Sequence, residues 1–272
     1  MFDWKYHVSF IVLLSCLACF FAGGAALVDP ASDDSLSSAV CPIVYQLDQS
    51  PSARGYHYTF FGNGFFINEK GYLLTVAHVL DTFRDGGQPY VLVRRLNGPP
   101  RLLAASIVAA DQEHDVAILL VSPNPFSSSN KVTLLTLDPE PAFRGQPVIA
   151  ISLHPLRLQN PRSFEVPRED RSTGEVLSYE STQLEKSAPA AEVFLLSHPV
   201  TLGQSGSPVL AQNSQAVVGL VEGRWLRSSA ASLTKPSSGS ASVPGAAIPI
   251  RYAIKLLQQN SISWHSAAKK PE

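Results

Sequence analysis

Beyond residue 40 the hydrophobic positions fall in short runs, without the 3.6-residue period of helices. The runs are HYTFF, GFFI, GYLLTVA, YVLVRRL, LLAASIVAA, DVAILLV, VTLLTL, QPVIAISL, GEVLSY, EVFLLS, SPVLA and AVVGLVEG. Turn-forming clusters such as GNG, NEKG, NGPP, PNP and QNS divide them. Short runs of β-branched and aromatic residues closed by Gly, Pro and Asn predict strands. Many strands in succession with no helices between them predict an all-β barrel or sandwich. One helix is expected near the end, where Pro249 can open a first turn and RYAIKLLQQN pairs Tyr252 with Leu256 and Ala253 with Leu257 at i, i+4. Two stretches, 155–173 and 227–244, break the strand rhythm and read as loops.

The first 28 residues have another pattern. Lys5 precedes an apolar run from Val8 to Val28 that closes on the small residues Ala22 to Ala26. An apolar helix here is expected to serve either as a cleaved signal peptide, with Gly24 and Ala26 before the cut, or as a membrane anchor through residues 8–28. A lipid-bearing Cys16 fits less well, because the chain after it would begin with apolar LACFFAGGAALV. The basic flank places the body of the chain outside the cytoplasm, periplasmic, secreted or tethered. Residues 29–40 read as a linker, 41–260 as the folded domain and 261–272 as a polar tail.

Composition narrows the partners. Lys+Arg 21 against Asp+Glu 22 gives a formal net charge of -1, so there is no basic footprint for nucleic acid. Cys16 and Cys19 lie within the N-terminal apolar run, so Cys41 has no partner in the body of the chain and reads as a small apolar residue. The cluster DQEHD holds Asp111, Glu113, His114 and Asp115, but strand neighbours alternate faces and the spacing suits no common zinc site. It reads as a solvated turn, His57, His154 and His198 as surface or packing residues, and no metal or cofactor is expected.

Three positions carry candidate chemistry. Ser205 in GQSGSPVL stands between Gly203 and Gly206, where glycines permit a turn that exposes the hydroxyl and aims the amides of Gly203 and Ser205 at one point. His78 closes the apolar run GYLLTVAHVL and can act as a general base if another group fixes its tautomer. Asp115 opens DVAILLV at the edge of a buried strand, where its carboxylate needs a partner. Singly, each is as well explained by a turn or by packing; together they match the chain order His, Asp, Ser with strands around each.

Through FGNGFFINEKGYLLTVAHVL, HDVAILLV, QPVIAISLHP, TGEVLSY, GQSGSPVL, AVVGL and GAAIPIRYAIKLL, residues from about 41 to 258 resemble the HtrA (DegP-like) branch of the chymotrypsin-fold serine peptidases. The resemblance implies two six-stranded antiparallel β-barrels with a C-terminal helix and the site in the cleft between them. It implies His78 as general base, Asp115 as its orienting carboxylate, Ser205 as nucleophile, and the Gly203 and Ser205 amides as oxyanion hole. Polypeptides would be the substrates.

It also implies a primary pocket near Pro199, Leu202, Leu220, Glu222 and Ala247, with Val200, Ala246 and Ile248 beside them. Apolar walls favour a small or aliphatic residue before the cut, and Glu222 could favour a basic one. Ser207 stands where the family has a second glycine, and Gln204 where Asn or Asp is common. Too few residues come after Leu257 for the family's PDZ module, and no Ile-Val-Gly-Gly start is present, since Ile43 and Val44 precede Tyr45. The alternatives are a peptidase-fold binding protein without activity and an α/β-hydrolase esterase, the latter disfavoured by Ser207 and by the lack of alternating helices.

Overall fold

The computed structural model describes residues 33–47, 57–83, 87–127, 129–156, 158, 164–184, 189–225 and 243–267. The first barrel comprises β1 (Val40–Leu47), β2 (His57–Phe66), β3 (Tyr72–Thr75), β4 (Pro89–Val93), β5 (Arg101–Asp111) and β6 (Val116–Ser122). They pair antiparallel in the order β1-β2-β3-β6-β5-β4, and β1 closes on β4. The second comprises β7 (Pro147–His154), β8 (Arg168–Thr182), β9 (Ala191–Leu196), β10 (Pro208–Ala211), β11 (Val217–Arg224) and β12 (Gly245–Pro249). Its order is β10-β11-β12-β9-β8-β7, closed by β10 on β7. Closure leaves neither sheet an unpaired edge. Antiparallel barrels, in place of a parallel sheet wound with helices, exclude the α/β-hydrolase alternative.

One large core fills the first barrel with Phe65, Phe66, Leu73, Leu74, Ile118 and Leu119 and continues across the seam to Ile151, Leu153, Leu210, Leu220 and Ile248 of the second. A smaller core inside the second barrel contains Val148, Val176, Phe194, Val209, Val221 and Ala247. Because the larger core is shared, the barrels cannot slide past each other without exposing it. The helix α2 (Ile250–Gln259) caps the seam with its buried stripe Ile250, Ala253, Ile254, Leu256 and Leu257. Each large aliphatic residue on that stripe contributes about 1.5–3 kcal/mol by leaving water.

Several expectations are corrected. The GNG triplet lies inside β2, with Asn63 facing Pro42 of β1 in register. β1 itself, VCPIVYQL, lacks a clear alternation because it carries Pro42 and is paired on both sides. VTLLTL is not a strand but a strap: Leu135 N–H donates to Phe66, Leu137 N–H to His265, and Thr136 accepts from Val217. Residues 168–173, read as loop, begin β8 and pair with β7. Within the predicted linker 29–40, Asp33–Ser38 form a short helix, α1, with Leu36 buried. The predicted tail holds on through buried Ile262 and a bridge from Ser266 to Leu137.

The apolar N-terminal helix expected over residues 1–28 lies outside the described residues, as does most of the loop at 227–244. Among the described residues no helix is long and apolar enough to cross a membrane.

Candidate active site

Asp115 sits in the turn that carries β5 into β6, and its backbone adopts φ 53°, the left-handed region that a residue other than glycine rarely takes. Such a conformation costs on the order of 1–3 kcal/mol and persists only where the surroundings enforce it. Here both carboxylate oxygens are used. Oδ1 accepts the backbone N–H of His78 at 2.7 Å and Oδ2 accepts the ring Nδ1–H of His78 at 2.7 Å. The backbone carbonyl of Asp115 accepts from Ala77 N–H at 3.2 Å. Three bonds thus tie the β5–β6 turn to the start of a 3-10 helix, Ala77–Phe83, that comes after β3.

His78 is the second residue of that helix. With Nδ1–H committed to a buried carboxylate, its Nε2 carries the lone pair. The ring is 41% exposed, so this nitrogen can face a substrate. Burial opposes the imidazolium, yet the hydrogen bond to Asp115 and the negative fields of Asp115, Glu222 and Asp81 outweigh it and raise the His78 pKa above its ordinary value.

Ser205 occupies the turn between β9 and β10. Gly203 and Gly206 on either side have φ 89° and 78°, so the turn needs glycine at both. The turn lies against β2. The Ser205 carbonyl accepts Asn63 N–H at 2.8 Å, the Gly203 carbonyl accepts Asn63 Nδ2 at 2.9 Å, and Gly206 N–H donates to Val221 at 2.8 Å. A Cβ on Gly62 would approach the Ser205 carbonyl to 2.6 Å, so that glycine is needed for close approach. Among the described residues the Gly203 and Ser205 amides donate to no acceptor. The Ser205 hydroxyl donates to the backbone carbonyl of Glu222 at 3.0 Å and not to His78.

The departures at Gln204 and Ser207 are both buried. Gln204 Oε1 accepts Thr201 N–H at 2.7 Å, and its Nε2 donates to Ser152 and Asp170 at 3.3 Å each, so a neutral amide braces the turn. The Ser207 hydroxyl has no partner among the described residues.

The expected pocket residues are gathered only in part. Glu222 is half-buried beside Ser205, and burial, offset by His78 and reinforced by Asp115, raises its pKa. Val200 is buried and packs on Gly245, while Pro199 is exposed. Ala247 is sealed in the smaller core and Leu220 in the shared one. Leu202, at 88% exposed, walls nothing. The DQEHD cluster is ordered by a hydrogen bond of 2.7 Å from His114 Nδ1 to Asp111, with the His114 ring stacked on Tyr252. Cys41 is buried, and burial pushes its thiol pKa up to about 12 despite the field of Arg94. The sequence reading missed Asn63; a polar residue between two glycines in an apolar strand was its signal.

Residues 62–220 match the family described as trypsin-like peptidase domain. Over 108 residues the chain is 37% identical to a protein of Halomonas elongata named probable periplasmic serine endoprotease DegP-like. That match takes in 39% of this chain and 20% of the relative, so the chain matches about a fifth of that relative's length. The HtrA-type protease AlgW with a decapeptide superposes with a TM-score of 0.59 at 18% identity, over 83% of this chain and 65% of that one. The active form of the Rv3671c protease from M. tuberculosis gives 0.55 at 18% identity, over 86% of each chain. With two closed barrels and a family match across more than half its length, the chain belongs to the trypsin-like peptidase domain family.

Proposed function

We propose that the chain is a serine endopeptidase in which Ser205 is the nucleophile, His78 the general base and Asp115 the carboxylate that orients it. The observation that carries this reading is the pair of 2.7 Å bonds from one buried Asp115 to the ring and the backbone of His78. In the proposed reaction, Ser205 Oγ turns from the Glu222 carbonyl toward His78, gives its proton to Nε2 and attacks the peptide carbonyl. The amides of Gly203 and Ser205 receive the developing oxyanion. His78 then passes the proton to the leaving amine, and water hydrolyses the acyl-enzyme by the same route reversed.

The domain acts outside the cytoplasm, a reading supported by the basic flank and apolar run at residues 5–28 and by the name of the Halomonas relative. Residues 8–28 then serve as signal or anchor. The residue before the cut is small or aliphatic, because Pro199, six before the nucleophile, brings no countercharge and a basic side chain would have only the half-buried Glu222 to pair with. A fluorophosphonate probe should label wild-type protein and not Ser205→Ala, and the purified domain should cleave a peptide library after Val, Ala or Leu. Labelling that survives Ser205→Ala would overturn the nucleophile. Dominant cleavage after Lys or Arg, lost in Glu222→Gln, would overturn the pocket alone. A binding protein without activity is the second reading, favoured by the engaged Ser205 hydroxyl and by Ser207; folded protein inert to both probe and peptides would establish it.

A further inference from the structure

Asn63 is fully buried on β2, on the first-barrel side of the seam, and every polar group it has is engaged. Its backbone N–H donates to the Ser205 carbonyl at 2.8 Å and its backbone carbonyl accepts Thr75 Oγ1–H at 2.7 Å. Its side chain reaches in two further directions, with Nδ2 donating to the Gly203 carbonyl at 2.9 Å and Oδ1 accepting the Leu153 N–H of β7 at 3.0 Å. The carboxamide can be placed only one way round, because one end meets a carbonyl and the other an N–H.

These contacts grip alternate peptide groups of the turn. The Gly203–Gln204 and Ser205–Gly206 peptides are held through their carbonyls, and the Gln204–Ser205 peptide, which carries the Ser205 N–H, lies between them. Gly203 has φ 89° and no Cβ, so little in its own covalent structure fixes it. Leu202 before it, 88% exposed, offers no anchor. The direct side-chain hold on Gly203 comes from a different barrel.

We propose that Asn63 is a positioning residue of the oxyanion turn, its carboxamide holding the Gly203 carbonyl so that the Gly203 and Ser205 N–H groups stay aimed at the substrate carbonyl. This rests on the reading of Ser205 as nucleophile. Without the Nδ2 donor, the half-buried Gly203 carbonyl loses its partner, and rotation about Gly203 to reach another donor or water redirects its N–H. The result is an enzyme that binds peptide as before and stabilises the tetrahedral intermediate poorly.

The test uses Asn63→Asp and Asn63→Ser in the full chain. Aspartate keeps the shape and the acceptor for Leu153 N–H but sets a carboxylate against the Gly203 carbonyl; serine is too short to reach it and is the variant least at risk of misfolding. Thermal unfolding and kinetics on an aliphatic peptide substrate are measured together. Both variants should lose kcat by about 10²- to 10³-fold, as for loss of one oxyanion donor, with KM within a few-fold of wild type and the His78 limb of the pH profile unmoved. The rate of fluorophosphonate labelling at Ser205 should fall in step. Folded Asn63→Asp with wild-type kcat, or a loss carried wholly by KM or by a shifted pH limb in either variant, overturns the proposal. If neither variant folds, wild-type-like labelling of Ser205 by the probe in a folded Asn63→Thr overturns it, and a matching loss supports it. Wild-type protein that neither labels nor cleaves overturns the peptidase reading as well, so the two failures are distinct.

Discussion

The two barrels contribute to the proposed site in different chemical forms. The first contributes side chains: Asp115 and His78 are joined through their own functional groups, and their identity is the contribution. In the proposed site the second contributes backbone: apart from the Ser205 hydroxyl it would offer two amides whose directions the glycine dihedrals set. A side-chain pair tolerates small shifts of the surrounding strands, because rotamers can adapt. A backbone turn cannot adjust that way, so the second barrel's part is braced by Asn63 of the first barrel, by the Gln204 side chain within the turn and by the Val221 carbonyl of β11. Substitutions of the functional side chains should therefore remove activity without harming the fold, and substitutions in the backbone turn should harm both.

The largest effects sharpen the first half of that contrast. His78→Ala and Ser205→Ala should each reduce turnover on the order of 10⁶-fold, about 8 kcal/mol of barrier, with thermal unfolding almost unchanged. Asp115→Asn should cost roughly 10⁴-fold through the wrong imidazole tautomer. Peptide kinetics beside calorimetry decide; activity that persists in His78→Ala would remove the first barrel's role altogether.

The second half can be broken at the two glycines of the turn. A Cβ on Gly206 would meet the Asn63 carbonyl at 2.1 Å and Thr75 Oγ1 at 2.4 Å, and the first is backbone of β2 that cannot yield without moving the turn off the strand. Gly206→Ala should destabilise by roughly 4 kcal/mol or more. At Gly203 the obstacle is the Phe60 ring edge at 2.5 Å, a side chain able to rotate away. Gly203→Ala should therefore fold with a cost of about 1–2 kcal/mol from its positive φ while losing about 10²-fold in kcat. Equal unfolding temperatures for the two variants would show that the turn is not pressed on β2.

The contrast also explains what could be read from the chain. The pairing of His78 with Asp115 was legible because an imidazole and a buried carboxylate call for each other, and the two barrels because strand runs and turn clusters alternate along the sequence. The GNG triplet misled because a glycine that admits a neighbouring backbone has the same letters as one that makes a turn; only the Ser205 carbonyl lying over Gly62 tells them apart. VTLLTL misled because its apolar pattern satisfies burial between two barrels as well as it satisfies a strand, and its partners come from four separate segments, at Ser38, Phe66, Val217 and His265. Leu220 and Leu202 near the expected pocket went opposite ways, one to the core and one to solvent, which no local pattern distinguishes.

Glu222 lies where the halves meet, its backbone carbonyl on Ser205 and its carboxylate in the field of His78. As the proposed general base, His78 works when neutral, so activity should rise with pH through its pKa, which lies above the ordinary 6.5. Glu222→Gln removes one of the negative fields that hold it up. The acid limb of kcat/KM should move to lower pH; a limb that stays put would show that the carboxylate does not act on the base.

The smallest effect concerns stability in the second barrel and isolates His198, which directly precedes the Pro199–Gln204 approach to the turn. Its ring is buried against Gly174 and Ser197, and neither nitrogen has a hydrogen-bond partner among the described residues. Burial alone lowers its pKa below the ordinary 6.5. The unfolded chain then takes up a proton before the folded one does, so stability is intact above about pH 6.5 and falls as the pH drops below it. One such group contributes at most about 1.4 kcal/mol per pH unit. His154, also lowered by burial, acts in the same direction, whereas His78, whose pKa is raised, contributes stability below its unfolded pKa that is lost as pH rises. The whole-protein slope mixes these terms, and comparison with His198→Leu cancels all but one. The variant should unfold at a temperature that depends less on pH between about 6.5 and 5 than wild type does, with the two curves parallel above about 7. Parallel curves throughout would mean that the His198 ring finds a partner or solvent on protonation, and that the second barrel has no acid-sensitive point beneath its active turn.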